Sequence, residues 1–247
     1  MPFTTDYGVL DRLRAGEDIE VSTFYDQLPP FFNQVASIGG LLPYANAWLD
    51  GKVDPWYDTK PESRPLNVVE KICAARAWAG GRPGVDGGPR YGIASVGPGD
   101  QVLCRAGFRG MHEYTAGMVM ALYEEAFGTV PVQDPDQCAA FEDHFVLIDQ
   151  PSVPDSVKAA RLGPAKQLAA EMIEVCTNHG IRLHGPGREH QAGVCHRIVV
   201  EEYARPGDVV VLTDSHSPTA GVLNAFAFGV GSTAMAFALR TGLIPVT

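Results

Sequence analysis

Cysteines and cationic residues are scarce in this sequence, and each shortage excludes a class of protein. Its five cysteines are odd in number, form no CxxC pair and lie at least 19 residues apart. This spacing is not that of a disulfide framework and is typical of a reducing cytoplasm. Lys and Arg number 19 against 29 Asp and Glu, which gives a formal net charge of −10. An acidic balance argues against nucleic acid or an anionic membrane as a partner.

Long hydrophobic segments are also missing. No apolar run approaches the roughly 20 residues that span a bilayer. The N-terminus lacks the cationic start and apolar core of a signal peptide. We therefore expect a cytoplasmic protein with neither a membrane span nor a leader.

The segment from His196 to His216 carries the most information. Its run Val209–Leu212 is apolar and mostly β-branched, which predicts a strand buried on both faces. Polar residues follow directly, at the carboxyl end of that strand, where open α/β sheets bind ligands. Upstream, a short helix that ends at Pro206 would bring His196 back towards Asp214. The same polar residues would also suit a plain turn and helix cap, and both interpretations stand at this point.

Strands and helices alternate along residues 65–247. The pattern predicts helices over Val68–Ala79, Thr115–Ala126 and Ser156–His179, the last broken near Pro164, and strands over Gln101–Arg105, Phe145–Ile148 and Ile181–Leu183. Ser232 is a candidate N-cap for a last helix, which Gly242 would end. This alternation predicts a layered α/β/α domain with a largely parallel sheet.

Residues 1–64 differ from the rest because they are rich in aromatic residues and prolines. An amphipathic helix is predicted from about Asn33 to Leu49. So many aromatic side chains need to be covered. We expect an N-terminal arm that packs across a partner subunit, with a cap on this chain's own domain as the alternative.

Five blocks of sequence resemble one enzyme family, in the family's order. They are PLNVVEKICAARA from Pro65, MHEYTAG from Met111, FEDHFVL from Phe141, residues 178–207, and TDSHSPTAGVLNAFAFGVGSTAMAFALRTGLIPV from Thr213. From about Pro65 to Thr247 the chain resembles the first domain of the aconitase and 3-isopropylmalate dehydratase large-subunit superfamily. The resemblance implies an aconitase-type α/β fold and a hydro-lyase or isomerase that acts on a small hydroxy polycarboxylate.

The resemblance implies catalytic roles for five residues and a carboxylate near them. Asp143 and His144 match a pair that helps to protonate the departing hydroxyl. His196 matches a second active-site histidine, supported by Asp214, with Glu201 as a carboxylate of the same network. Hydroxide is a poor leaving group, and a histidine held by a carboxylate can deliver a proton to it. The fifth residue, His216, belongs to a Ser-His pair with Ser215 that contacts substrate and cluster-bound water.

Further substrate contacts are expected in the loop before the second block. His112 and Thr115 lie where the family places a substrate-contacting residue and its neighbour. The preceding LCRAGFRG departs from the family pattern, and Arg105 and Arg109 are candidates for binding an additional acidic group of the substrate. A surface loop is the alternative for these arginines, and the substrate's identity stays open.

The family's 4Fe-4S cluster is held by three cysteines in later domains, two of them in a CxxC pair. This chain contains no such set, so we expect no metal ligands here and a cluster ligated by a partner chain. Cys73, Cys104 and Cys176 are expected to be buried core thiols. Cys195 is expected to line the pocket, with a ligand or nucleophile role as the alternative.

The resulting hypothesis is one subunit of a split, heteromeric aconitase-like enzyme. A second polypeptide would supply the cluster-bearing domains, the substrate-clamping arginines and the catalytic base. Two alternatives remain: a stand-alone domain with cluster-free, metal-independent chemistry, and a module that binds small acids for regulation.

Overall fold

The computed structural model describes residues 7–55, 59, 62–85 and 87–247 of the chain. The chain divides into two compact units, Met1–Asp58 and Thr59–Thr247. Among its described residues, the smaller unit contains the α-helices α1 (Gly8–Arg14), α2 (Pro30–Ser37) and α3 (Leu41–Leu49) and a 3-10 helix at Val21–Gln27.

Helices α2 and α3 of the smaller unit pack through aromatic side chains. Phe31 lies edge-on to Tyr44 with ring centroids 5.5 Å apart. The single helix predicted from Asn33 to Leu49 is wrong, because two glycines separate α2 from α3. Gly39 and Gly40 have φ angles of 98° and 117°, which side chains other than glycine rarely adopt.

The predicted boundary between residues 64 and 65 differs from the division at Asp58/Thr59. Packing of residues 1–64 across a partner subunit stays a prediction. Residues 1–6, 56–58 and 60–61 of that segment lie outside the described residues.

The larger unit alternates strands and helices as predicted. Its elements are α4 (Val68–Arg76), β1 (Trp78–Gly80), β2 (Arg90–Tyr91), β3 (Val102–Arg105), β4 (Phe108–His112), α5 (Glu113–Phe127), β5 (Cys138–Phe141), α6 (Asp155–Asn178), β6 (Arg182–His184), α7 (Cys195–Ile198), β7 (Val209–Leu212), β8 (Phe226–Gly229), α8 (Ser232–Thr241) and β9 (Leu243–Val246). Short 3-10 helices lie at Pro135–Gln137 and Ser217–Leu223, and a π-helical turn, Val199–Tyr203, continues α7.

Five strands form a parallel sheet in the order β6-β5-β4-β7-β8. Two antiparallel pairs, β3 with β9 and β1 with β2, complete the strand pairing of the described residues. Buried, largely apolar strands such as β7 suit a parallel sheet that is covered on both faces. The predicted α/β class with a largely parallel sheet is confirmed.

Helices cover both faces of this sheet. On one face, Phe108, Phe141 and Leu212 pack against residues 195–203. Side chains alternate along a strand, so Arg109 points to the other face, where it contacts the main chain of α8. Helix α5 packs against both α8 and α6, so these three helices share that second face. The layered α/β/α arrangement is therefore present.

Two local predictions in this unit are wrong. Residues 145–148 form bends and turns, and the buried strand is instead Cys138–Phe141, whose small residues give a weak strand signal. Helix α6 runs without a break through Pro164. A proline removes one hydrogen bond, which a helix of 24 residues tolerates on its exposed side.

The carboxyl edge of the parallel sheet is the part of the fold that matters for function. β4 ends at His112, β5 leads into Asp143 and His144, β6 ends at His184, and β7 leads into Asp214. Parallel strands present all these ends at one edge. Among the described residues, no helix combines the length and apolarity required to cross a membrane.

Candidate active site

Residues from four segments meet at the carboxyl edge. Ligand-type atoms of Asp143, His144 and Asp214 all lie within 4.8 Å of one another, and so do those of Cys195, His196 and Asp214. The structure thus brings together the two Asp-His pairs that the sequence places 50 residues and more apart. Because Asp214 belongs to both groups, they form one continuous cluster.

The loop after β5 is fixed by a buried carboxylate. Glu113, the first residue of α5, is 2% exposed. Its two oxygens accept hydrogen bonds from the backbone N–H groups of Asp143 (3.0 Å) and Phe145 (2.9 Å). His144 lies between these two anchors, with Nδ1 3.7 Å from Asp143 Oδ2. The side chain of His144 is 39% exposed, so it can reach a molecule bound at this edge.

The ring of His112 packs against the ring of His144, and its hydrogen bonds select one neutral tautomer. The two rings lie 4.3 Å apart at 35°. Nε2 of His112 lies 2.9 Å from the carbonyl oxygen of Thr213, which can only accept, so Nε2 carries the proton. Nδ1 accepts from the N–H of Tyr114 at 3.3 Å. Burial, together with the neighbouring His144, lowers the pKa of His112.

Thr115 does not face the two Asp-His pairs directly. Its hydroxyl pairs with the hydroxyl of Thr213 at 2.5 Å and donates to the carbonyl of His112. Thr115 therefore ties the start of α5 to the loop after β7, which is a positioning role within the predicted substrate loop.

Asp214 is the centre of the second half of the cluster. Its side chain is 5% exposed, and Oδ2 accepts the backbone N–H of His216 at 2.5 Å. Nδ1 of His196 lies 3.6 Å from Oδ2, and Nδ1 of His216 lies 3.7 Å from it. The two imidazoles stack with centroids 4.9 Å apart. Ser215 is exposed, with its hydroxyl 3.3 Å from Nδ1 of His216.

The thiol of Cys195 lies near the carboxylates of both Asp143 and Asp214. It is 2% exposed, and burial raises the pKa of its thiol, with further contributions from Asp143 and Asp214. A thiol held protonated in this way is a poor nucleophile. Its position supports the pocket-lining interpretation over the nucleophile alternative. The expectation that Cys73, Cys104 and Cys176 are buried is confirmed.

Three predicted site residues lie elsewhere. Glu201 is exposed and pairs with Arg197 at 2.9 Å, because it is on the solvent side of the helical segment that carries His196. Arg109 is 1% exposed, and its guanidinium donates to the carbonyls of Gln133, Ala238 and Asp134. These bonds fix the packing of α8 and leave Arg109 no access to substrate.

Arg105 is also distant from the cluster. It ends β3 in the antiparallel pair with β9, lies 3.8 Å from Asp134 and stacks over Tyr91. The assignment of Arg105 and Arg109 to substrate binding is therefore corrected, since neither is at the carboxyl edge of the parallel sheet.

Sequence reasoning missed two residues that organise the site, Glu113 and Thr213. Glu113 follows His112 directly, and a carboxylate at the start of a helix can bond backbone N–H groups. From the sequence, the expected partners of Glu113 are the N–H groups in the first turn of α5. The actual partners belong to the loop after β5, which only the fold reveals.

A cavity of about 500 Å³ lies next to this loop. Its lining is mainly apolar, and its polar members are Glu113, Glu142, Asp149, Gln150 and Lys166. Burial raises the pKa of Glu142, while Arg188 acts in the opposite direction.

The chain's own cysteines do not fit an iron–sulfur cluster. Such a cluster needs several thiolates around one centre. None of the groups of possible metal ligands among the described residues contains more than one cysteine, and that cysteine is Cys195.

Comparison with known proteins gives one family. A family model described as aconitase family (aconitate hydratase) matches residues 97–247. The 3-isopropylmalate dehydratase large subunit of Aquifex aeolicus is 32% identical over 178 residues, covering 72% of this chain and 34% of that protein. Large subunit 1 of Deinococcus radiodurans is 30% identical over 190 residues, covering 76% and 36%. Large subunit 2 of Methanopyrus kandleri is 37% identical over 136 residues, covering 53% and 29%. The chain spans about a third of the length of these curated relatives.

Proposed function

Since the chain belongs to the aconitase family, we propose that it supplies the proton-donating half of the active site of a heteromeric hydro-lyase or isomerase. The substrate class is a small hydroxy acid with two or three carboxylates. The observation that carries this proposal is the meeting of two Asp-His pairs at the carboxyl edge of the sheet. The curated relatives are named as large subunits of a dehydratase, which supports the same reaction class.

His144 is the proposed donor to the leaving hydroxyl. Loss of water from a hydroxy acid expels hydroxide, and a proton delivered to that oxygen lowers the barrier. Oδ2 of Asp143 lies 3.7 Å from Nδ1 of His144, and the ring of His112 packs against that of His144. His112 itself is not a proton donor in this proposal, because both its nitrogens are already engaged with main-chain groups.

The second Asp-His pair, Asp214 with His196, is proposed to position His216 against the substrate. Asp214 faces His196 and His216 at almost equal distances, so one carboxylate can orient both rings. His216 is the more exposed of the two, with 69% of its side chain accessible against 24% for His196. We assign substrate contact to His216 with Ser215, and a positioning or proton-relay role to His196.

The rest of the active site is proposed to come from a second polypeptide. Exposed apolar side chains flank the cluster in four segments, namely Tyr114, Leu147, Val194 and Val222. Apolar side chains grouped around a polar site indicate a surface that another protein covers. The ligands of a 4Fe-4S cluster, which this chain does not provide, are assigned to that partner. When bound, the cluster supplies a Lewis acid for the substrate hydroxyl.

The test is a turnover assay on the assembled enzyme. The tagged chain is purified with its bound partners under anaerobic conditions and tested with hydroxy di- and tricarboxylates that include 3-isopropylmalate. Formation of the unsaturated acid is followed by ultraviolet absorbance. We expect His144→Ala to lower kcat by roughly 10²–10⁴, which is the usual contribution of a general acid.

The same preparations provide the control and the opposing result. Elution volume and iron content of the His144→Ala complex should match those of the wild type, because the variant removes a half-exposed side chain. Full turnover in His144→Ala would remove this residue from the mechanism. A monomer that binds these acids and turns none of them over would favour the regulatory module instead.

A further inference from the structure

A second group of polar side chains lies at the carboxyl end of β6, outside the cluster described above. Ligand-type atoms of His184, His190 and Glu202 all lie within 4.8 Å of one another. They come from the last residue of β6, the loop that follows it and the π-helical turn after α7. None of the three has a role in the proposed dehydration.

His184 is oriented as a metal-binding histidine is. Its Nδ1 lies 3.1 Å from the carbonyl oxygen of Gln191, so Nδ1 carries the proton and Nε2 keeps its lone pair. A bond from the remote ring N–H to a backbone carbonyl is the usual support for a histidine that binds metal through its other nitrogen. The ring is 1% exposed and stacked on Phe141, so its direction is fixed.

His190 is held next to His184 by the backbone. The two residues form a parallel bridge, and the N–H of Gly185 donates to the carbonyl of His190 at 3.0 Å. Their rings lie 4.9 Å apart at 34°. A side chain at Gly185 would meet Glu142 Oε1 at 2.2 Å, so the Glu142 carboxylate packs closely against this turn. The loop therefore presents the second imidazole without further folding.

Glu202 completes the group from the opposite side. It is exposed, and it precedes Tyr203, whose ring is stacked on Phe108 at 4.4 Å. The backbone at Glu202 is therefore held in place, while the Glu202 carboxylate is free to rotate. The segment is a π-helical turn, a form that is rare and frequent at functional sites.

We propose that His184, His190 and Glu202 form a binding site for a zinc-class divalent cation. Two imidazoles and one carboxylate are an established donor set for Zn²⁺, with a fourth position left for water. Metal–ligand bonds of about 2.0–2.2 Å would require these atoms to approach by small side-chain rotations. The hydroxyl of Tyr203 donates to Nε2 of His184 at 2.5 Å, so binding of the ion replaces this hydrogen bond and requires the Tyr203 ring to shift on Phe108. A neutral hydrogen bond is weak next to a metal–imidazole bond.

The proposal is independent of the dehydratase assignment. The bound ion would connect β6 and the helical turn to Phe141, the last residue of β5, immediately before the loop that carries Asp143 and His144. Its role would be to stabilise that edge of the sheet, and it can be measured on the full chain without any turnover.

Calorimetric titration of the full chain with Zn²⁺ tests the site, and two adjacent glutamates provide matched variants. We expect one ion to bind, and Glu202→Gln and His190→Gln each to weaken binding at least tenfold. Glu201→Gln should bind as the wild type does, because that carboxylate pairs with Arg197 at 2.9 Å. Equal affinity in all four proteins, or no binding by the wild type, would overturn the proposal.

X-ray absorption of the zinc-loaded protein separates this site from the group that contains Cys195, while weaker binding by His190→Gln and Glu202→Gln separates it from the group of Asp143, His144 and Asp214. His184, His190 and Glu202 provide only nitrogen and oxygen ligands, at about 2.0–2.2 Å. A sulfur ligand at about 2.3 Å would place the ion at Cys195 instead and would contradict the assignment.

Discussion

At the scale of single residues, the histidines differ in whether both of their ring nitrogens are hydrogen-bonded. His112 and His184 each use both ring nitrogens, one towards a main-chain carbonyl and one as an acceptor. Nδ1 of His196, by contrast, is buried and makes no hydrogen bond with any described residue. Nδ1 of His196 lies 3.6 Å from Oδ2 of Asp214, whereas a proton added to Nδ1 of His112 would face the N–H of Tyr114.

This difference predicts how stability depends on pH. Burial lowers the pKa of His112 below its ordinary value of 6.5, so the unfolded chain takes up a proton first as the pH falls. Stability should therefore be complete above about pH 6.5 and decline below it, until the native His112 is also protonated. Urea unfolding between pH 8 and pH 5 measures the slope. His112→Gln keeps a donor for Thr213 and does not titrate, so its slope should be flatter. Equal slopes would contradict the neutral assignment.

At the scale of elements, the site depends on how closely the ends of neighbouring strands approach. Gly229 ends β8, and a Cβ there would lie 2.7 Å from the carbonyl oxygen of Asp214. That carbonyl also accepts the hydroxyl of Ser217 at 2.5 Å, so it cannot move freely. The glycine therefore lets the end of β8 approach the main chain of Asp214 closely.

Gly229→Ala is expected to displace the loop after β7. The overpacking should lower the free energy of unfolding by about 1–3 kcal/mol, and the assembled enzyme should lose turnover because Asp214 shifts. Gly221→Ala is the matched control in the 3-10 helix of the same loop, where an added Cβ meets no atom within 4 Å. Urea unfolding and the kcat of both variants check this. Comparable losses in the two variants would show that the close contact with Asp214 is unimportant.

Sequence patterns predicted elements well where one interaction dominates. The β-branched run of β7 is buried along its whole length, and Gly242 ends α8 with φ of 73°, as a helix terminus favours. The sequence patterns failed to predict elements whose secondary structure depends on tertiary contacts. β5 consists of Cys-Ala-Ala-Phe, which is a strand because β4 and β6 flank it.

The candidate site shows the same limit. Residue order indicated that Asp143, His144, His196 and Asp214 belong together, because the resemblance identifies them one by one. It could not place Glu201 or Arg109, since the direction of a side chain depends on the face that each element presents. The role of Glu113 could not be predicted because the residues that it binds lie 30 and 32 positions further along the chain.

At the scale of the whole molecule, the negative net charge and the exposed apolar side chains around the polar cluster both indicate a partner. The chain carries a formal charge of −10, yet side chains as apolar as Leu147 (67% exposed) and Val222 (71%) flank the polar cluster. A substrate with several carboxylates also needs cations, and the two arginines suggested by the sequence are committed elsewhere. The proposed partner meets both needs, since it would cover the apolar rim and supply positive charge.

Val222→Asp should therefore weaken assembly without unfolding the chain. Val222 lies in the 3-10 helix that follows His216, and a charge there would be buried unpaired against the partner. We expect the dissociation constant of the complex to rise about tenfold or more, with circular dichroism unchanged. Val130→Asp is the control, because Val130 is also partly exposed but lies between α5 and β5, away from the carboxyl edge. Titration of each variant with the purified partner, by light scattering or calorimetry, gives the comparison. If Val222→Asp assembles as tightly as Val130→Asp, the partner does not cover this edge, and the apolar rim requires another explanation.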